Sequence, residues 1–338
     1  MRKVLAGLVA VAAAIYLWNA SWLAPAPEGP QVKLIAHRGV HQTFDREGVE
    51  NDTCTAERIY PPTHEFIENT VPSMQAAFEA GADVVELDVH PTTDGRFAVI
   101  HDWTLDCRTN GSGITREHDM SHLKSLDLGY GYTADGGATY PLRGKGIGLM
   151  PSLDDIFAAF PDRNFLVNYK SREPREGDML WAMLQDEPEW RERVWAVYGG
   201  DEPTDRAVSL IPGLKGMGSR GMKDCLLRYL LLGWSGYVPE ACRNTNVMLP
   251  INLAPFAWGW PNRLQARMKA AGSEIILLGP YTRGDTGTSG IDTLELLARV
   301  PESVDGYLWT NRIELIGPAI KQSGHSAAAR PSPKRRSM

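Results

Sequence analysis

The sequence has no surplus of basic residues: 35 Lys and Arg stand against 41 Asp and Glu, a formal net charge of −6, with both signs mixed along the length. Without a basic stripe there is no chain-wide electrostatic reason to expect nucleic acid as a partner, so an anionic ligand would have to be held by local groups. No internal break or repeat is visible. At 338 residues and 43% hydrophobic the chain can bury one large core or two small ones, and nothing in the pattern divides it. Cysteine is scarce, with four residues, and a long apolar run occurs at the N-terminus.

That run, Val4 to Trp18, follows Arg2 and Lys3, the pattern of an export signal or a membrane anchor. Ala24-Pro25-Ala26 is the A-x-A triplet after it, crowded by Pro25 and Pro27, so retention as an anchor is favoured over cleavage. With Asn19 and Ser21 at its outer edge, the stretch 1–24 approaches the ~20 residues that cross a bilayer, and Trp18 and Trp22 suit the interface. The expected location is a bacterial inner membrane, facing the periplasm, or the periplasm itself if the segment is cleaved. In an exported chain the even number of cysteines permits disulfides. Four cysteines allow three connectivities; Cys225 and Cys242 lie close together in one segment, which leaves Cys54 with Cys107, while four free thiols would be preferred in a cytosolic enzyme. Residues 322–338, rich in Ser, Ala and Pro with a Lys-Arg-Arg cluster, cannot bury a core face and read as a disordered basic tail.

After a Pro-rich spacer, residues 31–321 alternate short apolar runs with helical patterns, the mark of an α/β domain. Expected strands are Lys33–Ala36, Val84–Val89, Phe97–Ile100, Phe165–Tyr169, Val194–Tyr198, Leu214–Gly216, Val247–Asn252, Glu274–Leu278 and Gly306–Trp309, close to eight with one surplus expected after Val194. Pro72–Ala80 reads as a helix ended by Gly81, and Ser152 caps Leu153–Phe160 with Asp155 three residues on. Two long connections, Val40 to Glu68 and Trp103 to Met150, each follow a strand. In a parallel barrel such loops build the active-site face, which puts both around one mouth.

Four motifs sit at or beyond strand ends: His37-Arg38-Gly39, Glu68-Asn69-Thr70, Glu86-Leu87-Asp88 and His101-Asp102. Glu86 and Asp88 are two apart in a strand, so both side chains leave one face, and Val84, Val85, Leu87 and Val89 around them mark that strand as buried. Two adjacent carboxylates repel unless a cation sits between them, and oxygen-only donors suit Mg²⁺ or Ca²⁺ better than Zn²⁺. Two histidines beside such a pair can divide proton acceptance and donation near neutrality. Arg38 offers a guanidinium fork to a phosphate.

The order A-H-R-G, E-N-T, E-x-D-V, T-x-D-G (Thr93-Asp94-Gly95), H-D and P-S-L-D-D resembles the glycerophosphodiester phosphodiesterase family over about Leu34 to Lys170. Beyond that the resemblance is faint, apart from Asp305-Gly306 and Thr310-Asn311-Arg312. It implies a (β/α)₈ TIM barrel, His37 and His101 as the acid/base pair, Glu86 and Asp88 as metal ligands, and Arg38 and Lys170 as phosphate contacts. The family's third acidic ligand lies two residues before the lysine; here that position is Asn168, an amide that would ligate through a neutral dipole and weaken the site. Glu68 would either touch the metal or hold Arg38. The implied reaction is hydrolysis of a glycerophosphodiester to an alcohol and sn-glycerol 3-phosphate.

A related family, the sphingomyelinase D type, shares the His/Glu/Asp/His core, acts on lysophospholipids and carries disulfides in its active-site loops, where Cys54 and Cys107 would sit. A phosphodiester-binding barrel that has lost catalysis is the rival from another class, although it would not need two histidines facing a carboxylate pair. His41, His64, His90, His118 and His122 belong to no motif and are expected to be solvated loop residues. Trp258, Trp260, Tyr130 and Tyr132 could line a pocket for an organic group or simply pack.

Overall fold

The computed structural model describes residues 2–27, 31–50, 52–283 and 289–322. Nine strands form one sheet: β1 (Val32–His37), β2 (Val84–Pro91), β3 (Phe97–Val99), β4 (Asn164–Tyr169), β5 (Val194–Gly199), β6 (Lys215–Gly218), β7 (Asn246–Pro250), β8 (Glu274–Leu278) and β9 (Gly306–Thr310). Eight of them run parallel in the order β6-β5-β4-β2-β1-β9-β8-β7 and curl into a nearly closed (β/α)₈ barrel, with helices between them. The expected TIM barrel is therefore present.

The surplus strand is not where the sequence pointed. It is β3, which pairs antiparallel with β2 through Val89 opposite Val99 and Pro91 opposite Phe97. Alternating apolarity reports burial but not direction, so a hairpin arm reads like any other strand. The consequence matters for His101: it reaches the mouth on a strand coming back down, with Ile100 N–H bonded to the Asp88 carbonyl, not on a barrel strand going up.

Period-two alternation sorts each strand. In β2, Val85, Leu87 and Val89 pack outward against the helices, while Val84 faces inward with Ile35, Leu166, Ala196, Ile276 and Trp309. Burying each large apolar side chain in these two layers stabilises the fold by about 1.5–3 kcal/mol. Glu86 and Asp88 continue the inward row and are fully buried. The long connections 40–68 and 103–150 close over the barrel end as a separate apolar cluster built from Ile59, Ile67, Leu105, Leu123, Leu128 and Met150.

Local signals act as read. Thr70 caps the helix Val71–Ala80 by accepting from the Ser73 N–H, and Gly81 ends it at φ 117°, a left-handed conformation suited to glycine. Ser152 and Asp155 form a reciprocal capping box on the helix Leu153–Ala159. Disulfides join Cys54 to Cys107 and Cys225 to Cys242. The first closes the longer loop and, on a chain-entropy argument, contributes about 4 kcal/mol against about 3 for the second. The apolar N-terminal run is a helix, Arg2–Asn19, whose side chains are exposed apart from half-buried Ile15 and buried Asn19. Of the expected tail 322–338, Gln322 still belongs to the last helix, Ile313–Gln322, and 323–338 lie outside the described residues.

Candidate active site

The register of the strands assembles the site. His37 at the end of β1 lies opposite Glu86 on β2, Asp88 lies opposite Asn168 on β4, and Asn168 lies opposite Tyr198 on β5. After His37 the chain must turn at once. Arg38 takes φ 59° and Gly39 φ 79°, and a Cβ at Gly39 would sit 2.2 Å from the Ser73 hydroxyl, so glycine is required there. The Arg38 conformation is costly for a non-glycine residue. It is held by three backbone-centred bonds: Arg38 N–H to the Glu86 carbonyl, and Asn69 N–H and the Ser73 hydroxyl to the Arg38 carbonyl.

Every oxygen of the carboxylate pair has a donor. Glu86 Oε1 accepts from the Tyr198 hydroxyl at 2.7 Å and Oε2 from the Arg38 N–H at 3.2 Å. Asp88 Oδ1 accepts from Asn168 Nδ2 at 2.9 Å and faces Lys170 Nζ at 3.5 Å; Oδ2 meets Asn69 Nδ2 and Arg38 Nε, each at 3.0 Å. Burial and the neighbouring Asp88 push Glu86 up to about 8. Burial acts on Asp88 too, but Arg38 and Lys170 more than offset it and hold that carboxyl well below the usual range. Compensation by the neighbouring cations is thus stronger at Asp88 than at Glu86, an imbalance that favours a bound cation.

The donor chemistry suits a hard cation at Glu86 and Asp88, whose oxygens each keep a second lone pair. It does not suit Asn168 as the third ligand. Its amide nitrogen, not its oxygen, faces the pair, donating to Asp88 and also to the Tyr198 hydroxyl at 3.0 Å, and ligation would require turning the amide over and losing both bonds. Among the described residues no cluster of three or more His, Cys, Asp or Glu side chains has a metal-holding arrangement.

The two histidines differ in their partners. Asn311 is fixed by its backbone and side-chain N–H groups, both bonded to Asp292, so its amide oxygen points at His37 Nδ1, 2.6 Å away. That oxygen can only accept, so Nδ1 carries the proton and Nε2, 3.7 Å from Glu86 Oε2, keeps its lone pair. Burial, then the nearby Arg38, holds His37 well below its ordinary value. His101 Nδ1 instead meets a carboxylate, Asp102 Oδ1, at 2.9 Å. Burial, Arg38 and Lys170 still lower it.

One network joins them. Arg38 bonds Glu68 Oε1 at 3.0 Å; Glu68 Oε2 meets Arg108 at 3.0 Å; Arg108 Nε bonds Asp102 Oδ2 at 2.7 Å. Glu68 is therefore the brace of Arg38, and it is engaged by two guanidinium groups. Arg108 is fully buried and also donates to the Tyr132 hydroxyl and Thr55 Oγ1, each at 2.6 Å. Its neighbours Cys107 and Cys54 form the disulfide beside it, so that cross-link pins both Arg108 and Thr55.

Sequence reasoning missed Arg108, Tyr198 and Asp292 as parts of the site. An arginine beside a loop cysteine was a signal for the first; the other two stand alone in segments without motifs. Two expectations are corrected. His41 and His90 are buried, not solvated, and His90 gives the reason: Nε2 donates to the His101 carbonyl and Nδ1 accepts from Arg116, which fixes a neutral ring inside the hairpin wall. Trp258 donates to the Leu230 carbonyl, and the Tyr132 hydroxyl accepts from Arg108.

The fold is a parallel TIM barrel with two histidines, an arginine and a lysine gathered around a buried carboxylate pair. Residues 37–197, just under half of the chain, match the model of the glycerophosphoryl diester phosphodiesterase family, and similar proteins and structures support membership of that family. The chain is 36% identical over 119 residues to a glycerophosphodiester phosphodiesterase of Caldanaerobacter subterraneus and 34% identical over 124 residues to one of Bacillus subtilis, each match covering 35% of this chain. The chain spans less than half the length of these relatives, 44% and 41%. Among solved structures, the glycerophosphoryl diester phosphodiesterase domain of a Mycobacterium tuberculosis protein superposes with a TM-score of 0.59 at 17% identity, covering 86% of this chain and 99% of that one. A phosphodiesterase of Oleispira antarctica, in complex with the product sn-glycerol-3-phosphate, gives 0.53 at 16%, covering 89% and 99%.

Proposed function

We propose that the chain hydrolyses glycerophosphodiesters to an alcohol and sn-glycerol 3-phosphate, the product held by its Oleispira relative. The observation that carries this is the difference between the two histidine partners within one network. His37, neutral with Nε2 free and backed by an amide, is the base that takes a proton from the attacking water. His101, backed by the Asp102 carboxylate, is the acid: that carboxylate supports the imidazolium, which protonates the leaving alkoxide. Arg38 and Lys170 stabilise charge on the non-bridging oxygens. A divalent cation, Mg²⁺ or Ca²⁺, held by Glu86 and Asp88, supplies further Lewis-acid stabilisation when bound.

Residues 31–321 act as one catalytic domain in this reading, and the helix Arg2–Asn19 is a retained anchor. It is, among the described residues, the helix long and apolar enough to cross a membrane, and its Asn19 side chain is buried against the barrel, which a cleaved leader would not need. A second reading is favoured by the Cys54–Cys107 cross-link over the mouth: lysophospholipid cleavage of the sphingomyelinase D type, with attack by a substrate hydroxyl and a cyclic phosphate product. Purified full-length chain incubated with glycerophosphocholine and with lysophosphatidylcholine separates them by product. Free sn-glycerol 3-phosphate from the first supports hydrolysis; a cyclic phosphate from the second alone supports the alternative; no product from either with any divalent cation would leave a binding barrel.

A further inference from the structure

The helix Arg2–Asn19 is about 27 Å long at the usual rise, close to the hydrocarbon thickness of a bilayer. Its exit is clamped. Trp18 Nε1 donates to the Ser235 carbonyl at 3.2 Å and Asn19 Nδ2 to the Trp234 carbonyl at 2.8 Å. Arg267 donates to Asn19 Oδ1 at 3.0 Å, Arg263 Nε to the Ala20 carbonyl at 3.1 Å, and the Asn262 N–H to Ser21 Oγ at 2.8 Å. Arg267 also reaches the Tyr229 hydroxyl and the Gly233 carbonyl, so the junction is tied into the barrel's outer layer and has no slack.

The surface beside that junction is apolar. The helix Ser219–Leu232 buries Cys225 and Tyr229 on one side and exposes Leu227, Leu230 and Leu231 on the other, at i, i+3 and i+4, with Leu231 70% exposed. Leu232, Trp234 and Tyr237 extend the patch towards Trp18. Scattered exposed leucines mean little, but a contiguous patch of this kind marks an interaction surface, and tryptophan and tyrosine at its edge suit the headgroup region. The Cys225–Cys242 disulfide fastens this helix to the segment that leads into β7.

We infer that this leucine and aromatic face rests on the lipid bilayer that the N-terminal helix spans. A helix that leaves the membrane at Asn19 without slack brings the adjoining face against the same lipid. The inference rests on the anchor reading above.

The test uses the full chain in phosphatidylcholine and phosphatidylglycerol vesicles. No described cysteine is free, so Leu231→Cys and Ile147→Cys can each carry a single nitroxide; Ile147, 64% exposed, lies in the loop cluster over the mouth. Collisions with oxygen relative to a water-soluble nickel chelate should be several-fold more frequent at 231 than at 147. Equal, water-like ratios at both positions overturn the docking. Lipid-like ratios at both overturn the assignment of the contact to this face. Spin–spin broadening at 231 that vanishes on dilution with unlabelled chain, without a gain in oxygen access, assigns the face to a second copy and overturns the lipid assignment. Alkaline carbonate extraction keeps the two layers of the argument apart: release of the unlabelled chain defeats the anchor reading itself, whereas a retained chain with a wet position 231 defeats only the docking.

Discussion

The two halves of the barrel divide the work unequally. From β1 to β4 the chain carries His37, Arg38, Glu68, Glu86, Asp88, His101, Asp102, Arg108 and Lys170, each in contact with at least one other of them. From β5 to β9 it contributes single residues, Tyr198 on Glu86 and Asn311 on His37, and spends the rest of its surface on the anchor. The first half holds charges that must be mutually neutralised, so each position constrains several others. The second half meets the site through one hydrogen bond at a time, and such positions are freer to vary.

The sharpest way to break this comparison is at the histidines. His37→Ala and His101→Ala should each lower kcat by about 10²–10⁴-fold with the fold intact, as removal of a general acid or base does; initial rates alongside thermal unfolding would check it. If His101→Ala retained full turnover, the hairpin arm would have no part in the chemistry.

Next in size is Arg108→Met. It strands Asp102 and Glu68 as buried carboxylates, and breaking such a pair costs about 3–5 kcal/mol. Stability in urea should fall by that order, and kcat more than KM, because Asp102 would no longer hold His101. An unchanged kcat in the folded variant would restrict Arg108 to a structural role.

From the second half the expected effect is smaller. Asn311→Ala removes one hydrogen bond to His37, worth about 0.5–1.5 kcal/mol, so kcat/KM should drop about three- to tenfold. A loss as large as that of His37→Ala would erase the distinction between the halves.

The smallest effect is on pH dependence, read at His90. Burial is the largest cause holding this ring at about 3 in the fold, and Arg116 adds to it, whereas an unfolded histidine takes up a proton below about 6.5. Between those values the unfolded state binds more protons, so stability rises with pH, by up to ~1.4 kcal/mol per pH unit from this group. His90→Gln, which can keep both ring contacts, should unfold with a shallower pH slope between pH 6 and 4 than the parent. Identical slopes in urea titrations would mean that His90 is not the group responsible.

The same inequality governs how much the sequence revealed. Glu86 and Asp88 were legible because a carboxylate pair inside Val84–Val89 has no bland explanation, and the barrel was legible because buried parallel strands read as plain apolar runs. The direction of β3 was not, since period two is the same up or down. Arg108 was hidden because a loop arginine is solvated by default; only the meeting of Glu68, Asp102 and Thr55 around it, each distant in sequence, makes it a core residue. Tyr198 and Asn311 act through register and a single bond, which spacing does not encode.

The central claim, that Glu86 and Asp88 hold a cation serving the two histidines, is tested most directly by titrating Mg²⁺ and Ca²⁺ into chelated full-length chain while following release of sn-glycerol 3-phosphate from glycerophosphocholine, with Asp88→Asn measured in parallel. The account predicts saturable activation of the parent, abolished by chelator, and a flat response from the variant. Turnover that survives both the chelator and Asp88→Asn would contradict it.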